Sequence, residues 1–190
     1  MAFRRRVRVL ARLLSRELHG GRSVLDLGCG DGLVARAIMD ERPEYEIRGI
    51  DVFKRPRTLI PVDLFDGQKI PFPDKSFDWI TLVDVLHHTD APQVLLAEAG
   101  RVARIGIVIK DHLREGFAAY STLRFMDWVG NRGHDVKLLY NYLSMDDWNR
   151  VLAETALVAR TWNEDLHLYP IPFNLLFDRR LHFVATVVPI

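Results

Sequence analysis

The sequence predicts a doubly wound α/β domain, a seven-stranded and mostly parallel sheet with helices on both faces, and three observations carry that prediction. Short apolar runs alternate with helical patterns through the first 110 residues. The runs are continuously apolar instead of alternating residue by residue, as strands covered on both faces must be. The first run ends in a glycine-rich turn, Gly28-Cys29-Gly30-Asp31-Gly32, that leads directly into a helical pattern.

The elements follow in order. Phe3, Val7, Leu10, Leu14 and Leu18 recur at spacings of three and four, while Arg4, Arg8, Arg12 and Arg16 follow another face, so residues 1–22 form a basic amphipathic helix ended by Gly20 and Gly21. Val24 to Leu27 is the first strand, Leu33 to Asp40 a short helix, and Glu46 to Asp51, Leu59 to Val62 and Phe77 to Val83 the next three strands. A helix from Pro92 to Val102 precedes a fifth strand, Ile105 to Lys110. The pattern weakens from Asp111 to Asn149, where helices and loops are expected. Ser144, with Asp147 three residues on, opens a helix to about Thr155. Ala156 to Trp162 and Leu181 to Val188 close the chain as strands, joined by a long apolar connection from Asn163 to Arg180.

Composition narrows the class. The 190 residues, with 48% hydrophobic and 27% charged side chains, suit one folded domain and exclude collagen-like, coiled-coil and disordered chains. A single cysteine, Cys29, excludes an internal disulfide and fits a reducing, cytoplasmic setting. The longest apolar runs fall short of the ~20 residues that cross a bilayer, so no transmembrane segment is expected. The net charge of +1 is a cancellation: residues 1–22 hold seven arginines and one glutamate, net +6, and the remainder is net −5. The basic helix is read as packed on the fold with solvated arginines; contact with an anionic substrate or partner, a transit peptide and a membrane-surface anchor are the other readings.

A strand running into Gly28, Gly30 and Gly32 lets the backbone turn sharply against a ligand, beside the free N–H groups of the next helix. A dinucleotide fingerprint would place a third glycine where Leu33 stands, which weakens a nicotinamide reading. Asp51, closing the second strand, can accept both hydroxyls of a ribose.

These segments, DLGCGDG, GIDV, PVDLFDG and FDWITLVDVLHH, in this order, resemble the class I S-adenosylmethionine-dependent methyltransferases of the small single-domain, methyltransferase type 11-like kind. The resemblance implies a Rossmann-like sheet whose last strand runs antiparallel beside the fifth, and S-adenosyl-L-methionine as cofactor. It implies that Asp26 and the backbone at Gly28 and Gly30 face the methionine end of the cofactor, with Gly32 in the same cofactor-binding turn, that Asp51 holds the ribose, and that Val52 lies on the adenine. Asp63 would accept from the adenine amino group, with the Leu64 backbone against the ring, and Asp84 would lie beside the methionine. Residues 23–110 are then the cofactor-binding half, 111–150 a substrate lid and 151–190 the closing helix and strands.

The cofactor carries its own activated methyl group, so the protein must align an acceptor and, where needed, take a proton. His88 and His112 are the expected proton acceptors, because both fall at carboxyl ends of parallel strands and histidine titrates near neutrality. His87, Asp111, Trp128, Asn131, Arg132, His134, Tyr140 and Tyr142 are the expected substrate-lining residues. No metal site is expected, since adjacent histidines point in different directions and no H-x-x-x-H spacing exists. The absence of an Asn-Pro-Pro-Tyr motif at Asp84-Val85-Leu86-His87 and of a basic, aromatic-interleaved stripe argues against a nucleic-acid substrate. The function expected is methyl transfer to a small-molecule acceptor, oxygen favoured over nitrogen. The apolar connection leaves a homodimer open. A nicotinamide-dependent oxidoreductase and a non-catalytic S-adenosylmethionine-binding module are the alternatives.

Overall fold

The structure, a computed structural model, describes residues 2–53, 55–130 and 139–190. Seven strands form one sheet: β1 (Ser23–Leu27), β2 (Glu46–Asp51), β3 (Val62–Leu64), β4 (Phe77–Val83), β5 (Ala103–His112), β6 (Leu157–Asn163) and β7 (His182–Pro189), in the order β3-β2-β1-β4-β5-β7-β6. The first five are parallel, and β7 runs antiparallel between β5 and β6, as expected. The order reverses between β1 and β4, the switch point where open α/β sheets bind ligands.

Pleating sorts the strand residues onto two faces. Leu25, Leu27, Ile80, Ile107 and Phe183 join α3 (Pro92–Val102) and α5 (Met145–Glu154) in one core. Val24, Trp79, Val108 and Val184 join Leu10 and Leu14 of α1 (Ala2–Glu17), Leu18 just after it, and Ile38 of α2 (Leu33–Glu41) in the other. These three leucines are fully buried. Truncating any one to alanine costs about 2–5 kcal/mol. Trp79 Nε1 donates to the Gly20 carbonyl at 2.9 Å, fixing the end of this segment to β4.

By the same period of two, Asp26, Thr81, Lys110, His112 and His182 share the α1 face with Val24, Trp79, Val108 and Val184. Most of the buried polar strand residues thus gather on this face, near the carboxyl ends of the parallel strands, and Asp111 is the buried charge on the other.

Several boundaries differ from the sequence expectation. The third strand is Val62–Leu64, because the chain first docks Ile60 beside Gly32 and bonds Leu59 N to the Asp31 carbonyl before meeting β2 at Gly49. The fifth strand runs on to His112, because β7 supplies partners for Asp111 and His112 in Phe183 and His182. Asp111 and His112 therefore stand on the sheet itself. The irregular region contains α4 (Ala119–Gly130), and the last connection contains the single turn α6 (Asn174–Phe177). The capping box at Ser144 forms: Ser144 Oγ accepts from Asp147 N at 3.2 Å and Asp147 Oδ2 accepts from Ser144 N at 3.1 Å, worth about 1 kcal/mol. Among the described residues no helix is long and apolar enough to cross a membrane.

Candidate active site

A cavity of about 500 Å³ opens over the switch point, with Asp26, Gly28 and Cys29 at one end and His88, His112 and His182 at the other. Val34, Phe125, Met126, Val129 and Phe177 give it apolar walls.

The glycine turn sets the near end. Gly28 has φ +71°, and a Cβ there would stand 2.6 Å from Val85 Cγ2, so both conformation and space demand glycine. At Gly30, also left-handed, a Cβ would meet nothing within 4 Å, so the turn presents bare backbone to open space. Asp51 accepts from the N–H groups of Gly30 at 2.8 Å and Phe53 at 2.9 Å, which ties its carboxylate to the turn. Val52 and Leu64 are exposed next to it. This arrangement of uncovered backbone, strand-end carboxylate and neighbouring apolar side chains fits a nucleoside with a charged tail, as the S-adenosylmethionine expectation requires.

Asp26 is buried, accepting from Thr81 Oγ1 at 2.8 Å. Burial pushes its carboxyl up to about 7, against the Thr81 bond and with help from the Asp51 charge. A buried carboxyl of that kind is poised to ionise opposite a cation. Cys29 packs against Gly49, and burial raises its thiol, so it does not serve as a nucleophile. Asp63 turns away to an ion pair with Arg48 on β2, at 2.5 Å and half-exposed.

The far end is a dense polar group. Asp84, in a left-handed turn after β4, is ion-paired with Arg6 of α1 and with Lys110 of β5. Burial pushes its carboxyl up, but the two cations outweigh this and hold it well below the usual range. Lys110 is fully buried. His87 and His88 belong to a single 3₁₀ turn, Leu86–His88, that follows β4. His87 Nδ1 lies 2.6 Å from Asp111 Oδ1, and His87 Nε2 faces Asp127 Oδ1 at 3.4 Å. Burial pulls His87 down, yet the two carboxylates prevail and hold it at about 10. Burial, with the His87 charge adding to it, pushes His112 down to about 4 and so keeps it neutral. Burial likewise lowers His88.

The structure sorts the expected substrate residues. His88 and His112 line the cavity; His87 and Asp111 lie buried behind them. Tyr142 is also buried, donating from its hydroxyl to Asp127 Oδ2 at 2.7 Å. Tyr140 stacks under the Arg124 guanidinium, and Trp128 is half-exposed, whereas Phe125, Met126 and Val129 of the same helix turn to the cavity. Asn131, Arg132 and His134 lie outside the described residues. The reason given against a metal site also changes: in the 3₁₀ turn the adjacent His87 and His88 rings approach to 4.0 Å between centroids instead of diverging.

Sequence reasoning missed Arg6, Asp127, Tyr169 and His182, which border the cavity, and Lys110, which is buried against Asp84. Asp127 had a readable signal, since Ala119, Leu123 and Asp127 are the buried positions of α4 and an acid at spacing four from Leu123 breaks an apolar stripe. Arg6 lies beside that stripe in α1, away from the arginine face that spacing picks out, and Arg4, Arg5, Arg8, Arg12 and Arg16 are exposed as expected.

The chain matches the methyltransferase domain family over residues 2–158. It is 29% identical over 144 residues to the ubiquinone/menaquinone biosynthesis C-methyltransferase UbiE of Cupriavidus taiwanensis, covering 65% of this chain and 59% of that protein. It is 28% identical over 142 residues to the methyltransferase GfsG of Streptomyces halstedii, covering 60% of this chain and 51% of that protein. The chain thus spans between half and three fifths of these relatives. Among solved structures, the fold resembles PH0226 of Pyrococcus horikoshii, with a TM-score of 0.69 at 16% identity over 99% of this chain and 91% of that one. It also resembles a SAM-dependent methyltransferase of Aquifex aeolicus, with a TM-score of 0.64 at 18% identity over 94% and 88%. A chain from the complex of the Haloferax volcanii Trm112 activator with a methyltransferase superposes with a TM-score of 0.71 at 15% identity, over 96% and 89%.

Proposed function

This chain belongs to the methyltransferase domain family, and from that premise we propose that it transfers a methyl group from S-adenosylmethionine to a small, largely apolar molecule bearing an acidic hydroxyl, such as a phenol or quinol. One observation carries the reading: a single cavity runs from the glycine turn to a histidine-lined end between apolar walls. The cofactor would lie against Gly28 and Gly30, its ribose on Asp51, its adenine between Val52 and Leu64, and its cationic methionine end toward Asp26 and Asp84. Bound there, it supplies the activated methyl group.

The chain's own residues then have defined tasks. Phe125, Met126, Val129 and Phe177 exclude water and take an apolar body. His88 and His112 face the reactive end, and His112, which burial keeps neutral, is able to accept a hydrogen bond from the acceptor hydroxyl and orient it, while its low proton affinity makes it a poor store for the proton. Deprotonating a phenol makes both its oxygen and its ortho carbon nucleophilic. The reading therefore admits oxygen or carbon as the methylated atom ahead of nitrogen, and the C-methyltransferase name of the Cupriavidus relative agrees with the carbon branch.

Calorimetric titration with S-adenosylhomocysteine and with NAD checks the cofactor side: binding of the first and not the second is expected. Incubation with labelled S-adenosylmethionine and a panel of phenols, quinols and aliphatic amines checks the acceptor. Label passing to amines alone would overturn the hydroxyl reading, and cofactor binding with no transfer to any arm would favour a binding module.

A further inference from the structure

Three side chains beside the cavity are arranged for more than lining it. His87 and His88 come from the 3₁₀ turn after β4 and Asp127 from α4, and one potential ligand atom of each lies within 4.8 Å of the other two. His87 Nε2 and His88 Nδ1 are buried and make no hydrogen bond among the described residues. Such atoms normally find a partner, because an unmet buried polar atom costs about 1–3 kcal/mol. The 3.4 Å from His87 Nε2 to Asp127 Oδ1 exceeds an ordinary N–H···O hydrogen bond. It does match the edge of a tetrahedron of ligands about 2.05 Å from a central ion, roughly 3.3 Å.

The surroundings hold these groups as metal ligands are held. His87 directs Nδ1 at Asp111 Oδ1, 2.6 Å away, which aims Nε2 at Asp127; without an ion the two carboxylates keep a proton on that nitrogen, and an ion bound there would displace it to solvent. Asp111 is fixed in turn by the N–H groups of Leu86 at 2.9 Å and His112 at 2.7 Å. Asp127 Oδ2 takes the Tyr142 hydroxyl, and Oδ1 is directed at His87. A second grouping, His87 with Asp111 and His112, shares His87 but would spend as a ligand the carboxylate that orients it through Nδ1.

We propose that His87, His88 and Asp127 form a binding site for one divalent transition cation of the zinc class, open on the cavity side to an oxygen of the methyl acceptor. Two imidazoles and one carboxylate suit zinc, cobalt, iron or manganese better than calcium or magnesium, which prefer oxygen-only shells. Three protein ligands leave a coordination position free, and His88 and Asp127 both border the cavity. An acceptor hydroxyl at that position would be oriented and made more acidic, with its proton released to water. This role toward the acceptor rests on the reading of the cavity given above; binding of the ion does not.

The test uses full-length protein stripped with chelator. Zn²⁺ is titrated against a chromophoric competitor, and Co²⁺ is followed by its visible absorption. One ion per chain with a four- or five-coordinate cobalt spectrum is expected. Roughly 10–100-fold weaker binding is expected for His88→Ala and for Asp127→Asn, which keeps the Tyr142 contact. His182→Gln, outside the trio, is expected to bind the ion as the parent does. Failure of the parent to bind Zn²⁺ or Co²⁺ at one per chain, or binding that neither ligand variant weakens, would overturn the site. S-Adenosylhomocysteine titration of the same stripped protein separates the two readings: retained binding without an ion site leaves the methyltransferase assignment standing and removes only the metal.

Discussion

Arg6 of α1 is ion-paired with Asp84 at the end of β4, so a helix outside the sheet supplies one of the two cations that flank this carboxylate; Lys110 is the other. The two are not equivalent, because Arg6 keeps part of its guanidinium in solvent while Lys110 is fully buried. Removing the Arg6 charge leaves Asp84 paired. Arg6→Met is therefore expected to cost about 1 kcal/mol, a fall of roughly 2–4 °C in Tm. Asp84→Asn strands the Lys110 ammonium among buried groups and is expected to cost about 3–5 kcal/mol. Urea melts of the two variants check the order, and an equal or reversed pair of losses would show that Lys110 does not depend on Asp84.

Asp26 gives a pH dependence with a definite sign. Its carboxyl titrates near 7 when folded, against about 3.9 in an unfolded chain, so the folded state holds the extra proton between those values. The stability it contributes is present below about pH 4 and is lost as pH rises toward 7. Cofactor affinity should move the other way, since a cationic ligand favours the carboxylate: S-adenosylmethionine binding should tighten as pH rises from 6 and level off above 7. Asp26→Asn keeps the Thr81 hydrogen bond and removes the titration. Calorimetry across this range, with unfolding followed in parallel, should show both slopes in the parent and neither in the variant.

The order of strands and the near end of the cavity were legible in the sequence because both are written locally. Apolar runs bounded by turns mark buried strands, and glycines at Gly28 and Gly30 mark a backbone that must pass close to a ligand. The far end was only half legible. His88 and His112 could be placed because they fall at strand ends, but the groups that border the cavity with them come from distant segments: Arg6 from the first helix, Asp127 from α4 and His182 from the last strand. Such groups meet by tertiary packing, which no local pattern encodes. The convergence of His87 and His88 depends on a 3₁₀ turn of three residues, too short to leave a period.

Asp51 binds two backbone N–H groups as well as standing where a ribose is expected. Asp51→Asn keeps one oxygen acceptor and loses the charge. With hydrogen bonds to a charged group worth about 1.5–3 kcal/mol, affinity for S-adenosylhomocysteine should fall roughly 10–150-fold. Circular dichroism should stay at the parent value. An unchanged affinity would detach Asp51 from the ribose.

The two faces of α4 separate the sequence expectation from the structure most directly. Trp128 was expected to line the substrate pocket, yet it is half-exposed, while Met126 two residues earlier lines the cavity. Phe125, Met126, Asp127 and Val129 all border the cavity, and Trp128 is the residue of this turn that does not. Met126→Ala shortens a wall that an apolar acceptor would contact, and Trp128→Ala shortens a side chain that faces elsewhere. Loss of two or three buried methylene-sized groups should raise KM for a phenolic acceptor about 10-fold or more in Met126→Ala, with cofactor affinity kept. Trp128→Ala should leave that KM within about twofold of the parent, in line with the small effects of surface substitutions. Steady-state kinetics on the two variants decides between the assignments: a KM that rises with Trp128→Ala and not with Met126→Ala would return the tryptophan to the pocket.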